Sequence, residues 1–261
     1  MSRALVAAVT LVAIACSGGD REGTDTTAAA ANGPSAGAGA SGGGGPTGDA
    51  VVSGRVRFAG TAPANPTIDM SEEKACAAKY SGTPVDSQYV VRDGGLGNVF
   101  VYVKSGLPDG ATYAAPTETV VIDQNGCEYR PRVFGIRAGQ PLEIRNSDPV
   151  LHNIKAVPTK NRGFNISQPS AGMKTTRTFT TAEAMVPLEC NVHGWMKGFV
   201  GVMAHPYFAT TSADGSFSIK GLPPGTYEIE AWHEKAGTQR TTVTVGSGET
   251  KTADLTFGAA T

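Results

Sequence analysis

Beyond residue 50, apolar and polar positions alternate with a period of two over short runs, and Gly, Pro, Asn and Asp break the alternation every few residues. The clearest run is residues 98–104 (NVFVYVK), where Val99, Val101 and Val103 face one way and Phe100 and Tyr102 the other. Residues 51–58, 120–123, 129–136, 141–146, 151–157, 175–180, 185–190 and 198–204 also read as strands. One short helix is predicted at 71–79, with Ser71 as cap and Glu72 and Glu73 in its first turn. After Pro206 the pattern changes. Residues 207–212 and 216–220 flank Asp214-Gly215, a hairpin signal, and GLPPG at 221–225 makes a rigid turn before strands at 226–234, 241–245 and 252–257. Many short strands with frequent turns make the chain all-β. Such a pattern implies a sandwich or barrel, and the change at Pro206 divides the chain into residues 50–206 and a second, smaller β part at 207–261.

The first 49 residues follow a different rule. Arg3 precedes an apolar run at 5–15 that is too short to span a bilayer. The run ends in Ala13-Ile14-Ala15-Cys16, which resembles the lipobox of bacterial lipoproteins. That resemblance implies cleavage before Cys16 and acylation of its sulfur, so that residues 1–16 are a signal peptide with its lipid-bearing cysteine. An ordinary secretory signal cleaved near Ala15 is the alternative, and either one exports the chain. Residues 17–49, rich in Gly, Ala, Ser and Thr, lack a periodic apolar pattern and read as a flexible tether. The expected location is the periplasmic or cell-surface face of a bacterial membrane, with the chain lipid-anchored.

A formal net charge of −1 and the lack of a long Lys/Arg run exclude a nucleic-acid partner. The chemistry concentrates in Leu188-Glu-Cys-Asn-Val-His-Gly-Trp-Met196. There Cys190, His193 and Met196 follow C-x-x-H-x-x-M on a tight loop between two predicted strands. Thiolate and thioether are soft donors, imidazole binds either copper oxidation state, and His₂Cys with a weak axial Met is the ligand set of electron-transfer copper sites. His152, at the edge of another strand, supplies the second imidazole. Each residue also has a plainer role: Cys190 as half of a disulfide with Cys76 or Cys127, the histidines as structural side chains, Met196 as core. If Cys190 is a ligand and Cys16 carries lipid, Cys76 and Cys127 remain, and an oxidising compartment favours a disulfide between them over two separate buried thiols.

His152-Asn153 upstream with C-x-x-H-x-x-M downstream resembles the cupredoxins, and the short loop is similar to that of amicyanin. The resemblance covers about residues 98–206 and implies a Greek-key β-sandwich with one type 1 copper held by His152, Cys190, His193 and Met196. It implies that Asn153 fastens the two ligand loops and donates its backbone N–H to the Cys190 sulfur. It also implies an electron port at the edge of His193, within a patch formed by Gly194, Trp195 and Gly198, where redox partner proteins dock transiently. Residues 50–97 are extra to this pattern and have no assigned role. The run DGSFSIKGLPPGTYEIEAWH near the C-terminus resembles the carboxypeptidase regulatory-like domain, a prealbumin-type β-sandwich that does not itself imply catalysis and leaves carbohydrate open as a partner. The expected function is an exported carrier of single electrons. A copper chaperone or store, and a surface or carbohydrate-binding protein with a vestigial metal site, are the alternatives. His205 and His233 are too few for a trinuclear copper cluster, and no G-x-S-x-G, H-E-x-x-H or P-loop occurs, so an enzyme is not expected.

Overall fold

The structure, a computed structural model, describes residues 45–258. Cys16, the signal segment and most of the tether lie outside the described residues. In chain order the elements are β1 (Ala50–Phe58), α1 (Lys74–Ala77), β2 (Val91–Arg92), β3 (Gly95–Leu96), β4 (Phe100–Ser105), β5 (Val120–Gln124), β6 (Tyr129–Arg130), β7 (Val133–Arg137), β8 (Pro141–Asn146) and β9 (His152–Ala156). They continue with β10 (Phe164–Gln168), β11 (Lys174–Thr178), β12 (Glu183–Glu189), β13 (Lys197–Met203), β14 (Phe208–Thr210), β15 (Ser216–Leu222), β16 (Gly225–His233), β17 (Gly237–Val245), β18 (Thr250–Thr252) and β19 (Leu255–Phe257). The chain is all-β apart from the short α1.

Two sandwiches result. In the first, the sheet β10-β9-β12-β13-β7 lies against β11-β8-β5-β6. Their inward positions, among them Ile122, Leu142, Ile144, Ile154, Val186, Leu188, Val200 and Val202, fill one core. This sandwich carries the metal-ligand candidates. In the second, β15-β1-β3-β2, extended by β18 and β19, faces β14-β4-β16-β17 around Val52, Val56, Val101, Val103, Ile219, Tyr227, Ile229 and Phe257.

The boundary expected at residues 206/207 does not survive this pairing. β4, expected in the first sandwich, pairs with β14 and β16, and β1 pairs with β15, β18 and β19. The chain starts in the second sandwich at β1, lays residues 66–80 against the first, returns for β2–β4, supplies all the strands of the first from β5 to β13, and comes back at β14. The first sandwich is thus an insertion within the second. The physical reason is that the apolar faces of β1 and β4 need partners, and the strands after residue 206 supply them. Residues 46–49 also belong to the fold: Pro46 O accepts the Tyr207 hydroxyl at 2.7 Å, and Gly48 N donates to Gly221 O at 2.9 Å.

Local departures have local causes. The strand expected at 129–136 is split into β6 and β7 by Pro131, which cannot donate to a ladder. Ser71 does not cap α1, which begins only at Lys74 with Glu73 at the cap position. β10, β2 and β3 had no clear alternating signal.

Phe100 and Tyr102 of β4 pack on Val133, Met185 and Met203 where the sandwiches join. Gly201 in β13 lies under the Phe100 ring, and Gly135 in β7 lies under Phe100 and Phe208; a Cβ at either would overlap those rings. Gly201→Val is therefore expected to cost about 1–3 kcal/mol through overpacking. Thermal unfolding followed by near-ultraviolet circular dichroism checks this: a lower midpoint, still with one transition for both sandwiches, is the expected result.

Candidate metal centre

The register of the first sandwich assembles the site. β12 and β9 are antiparallel, with Leu188 opposite Ala156 and Glu189 opposite Lys155. The loop that follows Cys190 therefore runs beside His152 and Asn153. β12 and β13 form a hairpin whose loop, residues 190–196, is closed by Cys190 N to Met196 O at 3.2 Å and Met196 N to His193 O at 2.9 Å. The loop turns His193 back on the thiol, and His193 N donates to Cys190 Sγ at 3.3 Å.

His152 Nδ1 and His193 Nδ1 are 2.9 Å apart, and His193 Nδ1 is 3.9 Å from Cys190 Sγ. The three donors lie within 4.8 Å of one another, and all three residues are buried. Met196 is 1% exposed and shares a core cluster with Cys190. Cys190 is the one cysteine outside a disulfide among the described residues. Cys76 and Cys127 are bonded to each other, with Cα atoms 5.6 Å apart. Two other clusters of metal-binding side chains, Glu73–Cys76–His193 and Cys127–Asp148–His152, each include a half-cystine, which removes the thiolate either would need.

The surroundings fix the donors. Asp148 Oδ2 accepts from His152 Nε2 at 2.9 Å, which puts the proton on Nε2 and leaves the Nδ1 lone pair facing Cys190 and His193. Asp148 is itself held by Gly126 N at 2.9 Å, Cys127 N at 2.7 Å and Lys79 Nζ at 2.7 Å. Burial would raise its pKa, but these hydrogen bonds win and hold it well below the usual carboxylate range. Burial likewise raises the Cys190 thiol, and hydrogen bonds from His152 and from the backbone of Asn153, His193 and Val192 more than offset this, so the thiol is pushed down toward thiolate. Asn153 also accepts from Asn191 N at 2.6 Å, tying the His152 strand to the Cys190 loop. Tyr129 donates to Asn153 O at 2.6 Å beneath the same contact.

The expected port is different. His193 is 1% exposed and Gly198 is buried, whereas Gly194 is exposed and Trp195 half-buried. The cover is residues 66–80, part of the stretch with no assigned role. Cys76 pins this strap to Cys127, and Glu73 Oε1 lies 3.6 Å from His193 Nε2. The Trp195 ring stands 5.0 Å from the His193 ring, with its N–H on Cys127 O at 3.0 Å. Trp195 and Met196 border a cavity of about 280 Å³ whose other walls include Ile68, Tyr129 and Arg132.

The family profile of the carboxypeptidase regulatory-like domain matches residues 201–258. The matched segment is the return leg of the second sandwich, and β1 and β4 complete its sheets from outside the match. No curated protein matches the chain. Similar solved structures are cupredoxins and a copper enzyme. A purple cupredoxin from Nitrosopumilus maritimus is 22% identical over 32% of this chain and 99% of its own, with a TM-score of 0.28. A Cu(I) form of an amicyanin variant is 18% identical over 40% of this chain and 98% of its own, with a TM-score of 0.30. A copper-containing nitrite reductase from Thermus scotoductus SA-01 is 22% identical over 38% of this chain, with a TM-score of 0.29; the aligned part is 25% of that enzyme's length.

The donor set fits a soft or borderline cation. Two imidazole nitrogens and a thiol sulfur converge in a buried space; once deprotonated, these donors repel one another unless a positive charge sits between them. Donor separations of about 3–4 Å follow when metal–nitrogen bonds of about 2.0 Å and metal–sulfur bonds of about 2.3 Å meet at one ion. Two histidines, a cysteine and a nearby methionine favour copper among such ions.

The other two histidines serve the second sandwich. His233 Nδ1 accepts from Lys235 N and Ala236 N, and its ring packs 5.2 Å from Tyr89, while its Nε2 has no partner among the described residues. His205 packs against Tyr207. Sequence reasoning missed Asp148 and Glu73. Asp148 sits in a local turn signal, Ser147-Asp148-Pro149, and Glu73 is remote from every ligand candidate in sequence, so neither offered a usable signal.

Proposed function

We propose that this chain is an exported copper protein that carries single electrons, with one copper held by His152, Cys190, His193 and Met196. The observation that carries the reading is the convergence of His152 Nδ1, His193 Nδ1 and Cys190 Sγ at one buried point. Copper, when bound, supplies a one-electron couple. The chain supplies rigidity: Asp148 orients His152, Asn153 locks the two ligand segments together, and backbone N–H groups hold the thiolate. A site fixed in this way needs little rearrangement when its charge changes. The buried ligands exclude water, and Trp195, beside His193 and half-exposed, is the aromatic group best placed to pass an electron to a docked redox protein. Such docking is transient and small in area. Lipid attachment through Cys16 would keep the carrier at a membrane, with the residues before 45 as its tether.

The burial of all the ligand nitrogens also suits a copper store or chaperone. An optical and paramagnetic-resonance spectrum of the copper-loaded full chain separates the two. An electron carrier shows an intense thiolate-to-copper band in the visible and reversible reduction, and Cys190→Ser removes the band entirely. A colourless protein that binds only Cu(I) means storage. Copper lost on dialysis means that neither holds, and leaves surface or carbohydrate binding by the second sandwich as the activity to test.

A further inference from the structure

His193 Nε2 is buried and has no hydrogen-bond partner, although its Nδ1 faces the other two donors. The carboxylate nearest to it is that of Glu73, with Oε1 at 3.6 Å, just outside hydrogen-bond range. Glu73 is not placed there by its own short helix alone. The segment around it is fastened at several points: Cys76 to Cys127, Lys79 Nζ to Asp148 at 2.7 Å, and the Tyr80 hydroxyl to Gly126 O at 2.6 Å, with Ile68 and Met70 sunk in the core of the first sandwich. A strap anchored so firmly, ending in a carboxylate over a ligand ring, repeats what Asp148 does for His152. The Glu73 side chain keeps 39% exposure, which leaves it the small freedom needed to close the gap.

We propose that Glu73 is a positioning residue for His193. Its carboxylate accepts the Nε2–H, fixes the tautomer that turns Nδ1 to the metal, and seals the ring edge from solvent. The inference rests on the reading of His193 as a copper ligand. It gives residues 66–80 a role: they carry the second carboxylate of the site, so that each imidazole has one behind it. With a metal on Nδ1, the Nε2–H of His193 would be a stronger donor toward Glu73. A negative charge held at this place favours the more positive copper state.

The test uses the full chain, metal-free and copper-loaded, as wild type, Glu73→Gln and Glu73→Leu. Gln keeps the acceptor and loses the charge; Leu keeps the bulk and loses both. Nitrogen-15 shifts of His193 in the metal-free protein report the tautomer. The expected result is a dominant Nε2–H form in wild type and Glu73→Gln, and a tautomer ratio changed at least about fivefold in Glu73→Leu. In the loaded protein, both variants are expected to shift the reduced-to-oxidised ratio at a fixed potential by about threefold or more toward reduced. Unchanged tautomer and ratio in both variants, with copper and its visible band retained, overturn the role of Glu73 and leave the copper site standing. In Glu73→Leu, a shifted ratio with an unmoved tautomer also overturns it, because charge alone then explains the effect. Failure of the wild type to bind copper overturns both readings. Should Glu73→Leu fail to fold, Glu73→Ala, which also removes both acceptor and charge at a side chain that is 39% exposed, takes its place with the same expected tautomer change.

Discussion

A chain cut after Met203 is expected to be insoluble or unfolded, although the sequence suggests that residues 207–261 are a separable domain. The cut removes the partners of β1 and β4: β14, β15, β16, β18 and β19. It also strips Tyr207, Phe217, Ile219, Leu222, Tyr227, Ile229, Val243, Leu255 and Phe257 from the core they share with Val52, Val56, Val101 and Val103. Each large apolar side chain contributes about 1.5–3 kcal/mol when buried, so the loss exceeds the net stability of about 5–15 kcal/mol of a typical domain. The junction fails as well, because Arg132 loses Glu234, which it binds at 2.5 and 2.9 Å. Expression of the truncated chain followed by gel filtration and far-ultraviolet circular dichroism checks this. A monomeric, folded product that takes up copper would show that the first sandwich stands alone.

Asp148→Ala is expected to be the most damaging single change near the site. Asp148 is fully buried and binds Gly126 N, Cys127 N, Lys79 and His152 at once. Its removal leaves two backbone donors and an ammonium without their acceptor, and frees the His152 ring. Breaking a buried pair from one side costs about 3–5 kcal/mol. Loss of a carboxylate behind a ligating histidine lowers metal affinity by about 10–100-fold. Denaturant titration of the metal-free protein and competition against a copper chelator measure the two effects separately. The sign of the pH dependence follows from the depressed pKa. The folded state binds the Asp148 proton more weakly than the unfolded chain, so its stabilisation is complete above the ordinary carboxylate range and fades as pH falls below it. In Asp148→Ala that part of the acid sensitivity disappears.

The meeting of Cys190 and His193 was legible because C-x-x-H-x-x-M places them on one hairpin loop, where neither β12 nor β13 can separate them. The Cys76–Cys127 bond was legible by counting, once the other two cysteines had been given roles. Interleaving of the two sandwiches was not. Alternating Val at 99, 101 and 103 says that β4 has one face for a core, but the same alternation suits either core, and only the pairing with β14 and β16 chooses. The covered port was missed for a related reason. A resemblance that starts near residue 98 contains nothing of the strap, so it implied an open His193 edge that residues 66–80 in fact close. Asp148, in Ser147-Asp148-Pro149, reads locally as a turn residue, and its role depends on Lys79 and Gly126, far away in sequence.

β1 runs parallel to β18 and β19, so the first and last strands lie side by side with their free ends at opposite poles of one sheet. Tension between anything holding the chain ahead of β1 and anything gripping it beyond β19 would load those strands in shear, the direction in which a ladder of hydrogen bonds yields all together. The force line would run through the host sandwich and bypass the inserted one, leaving His152, Cys190 and His193 mechanically unstressed.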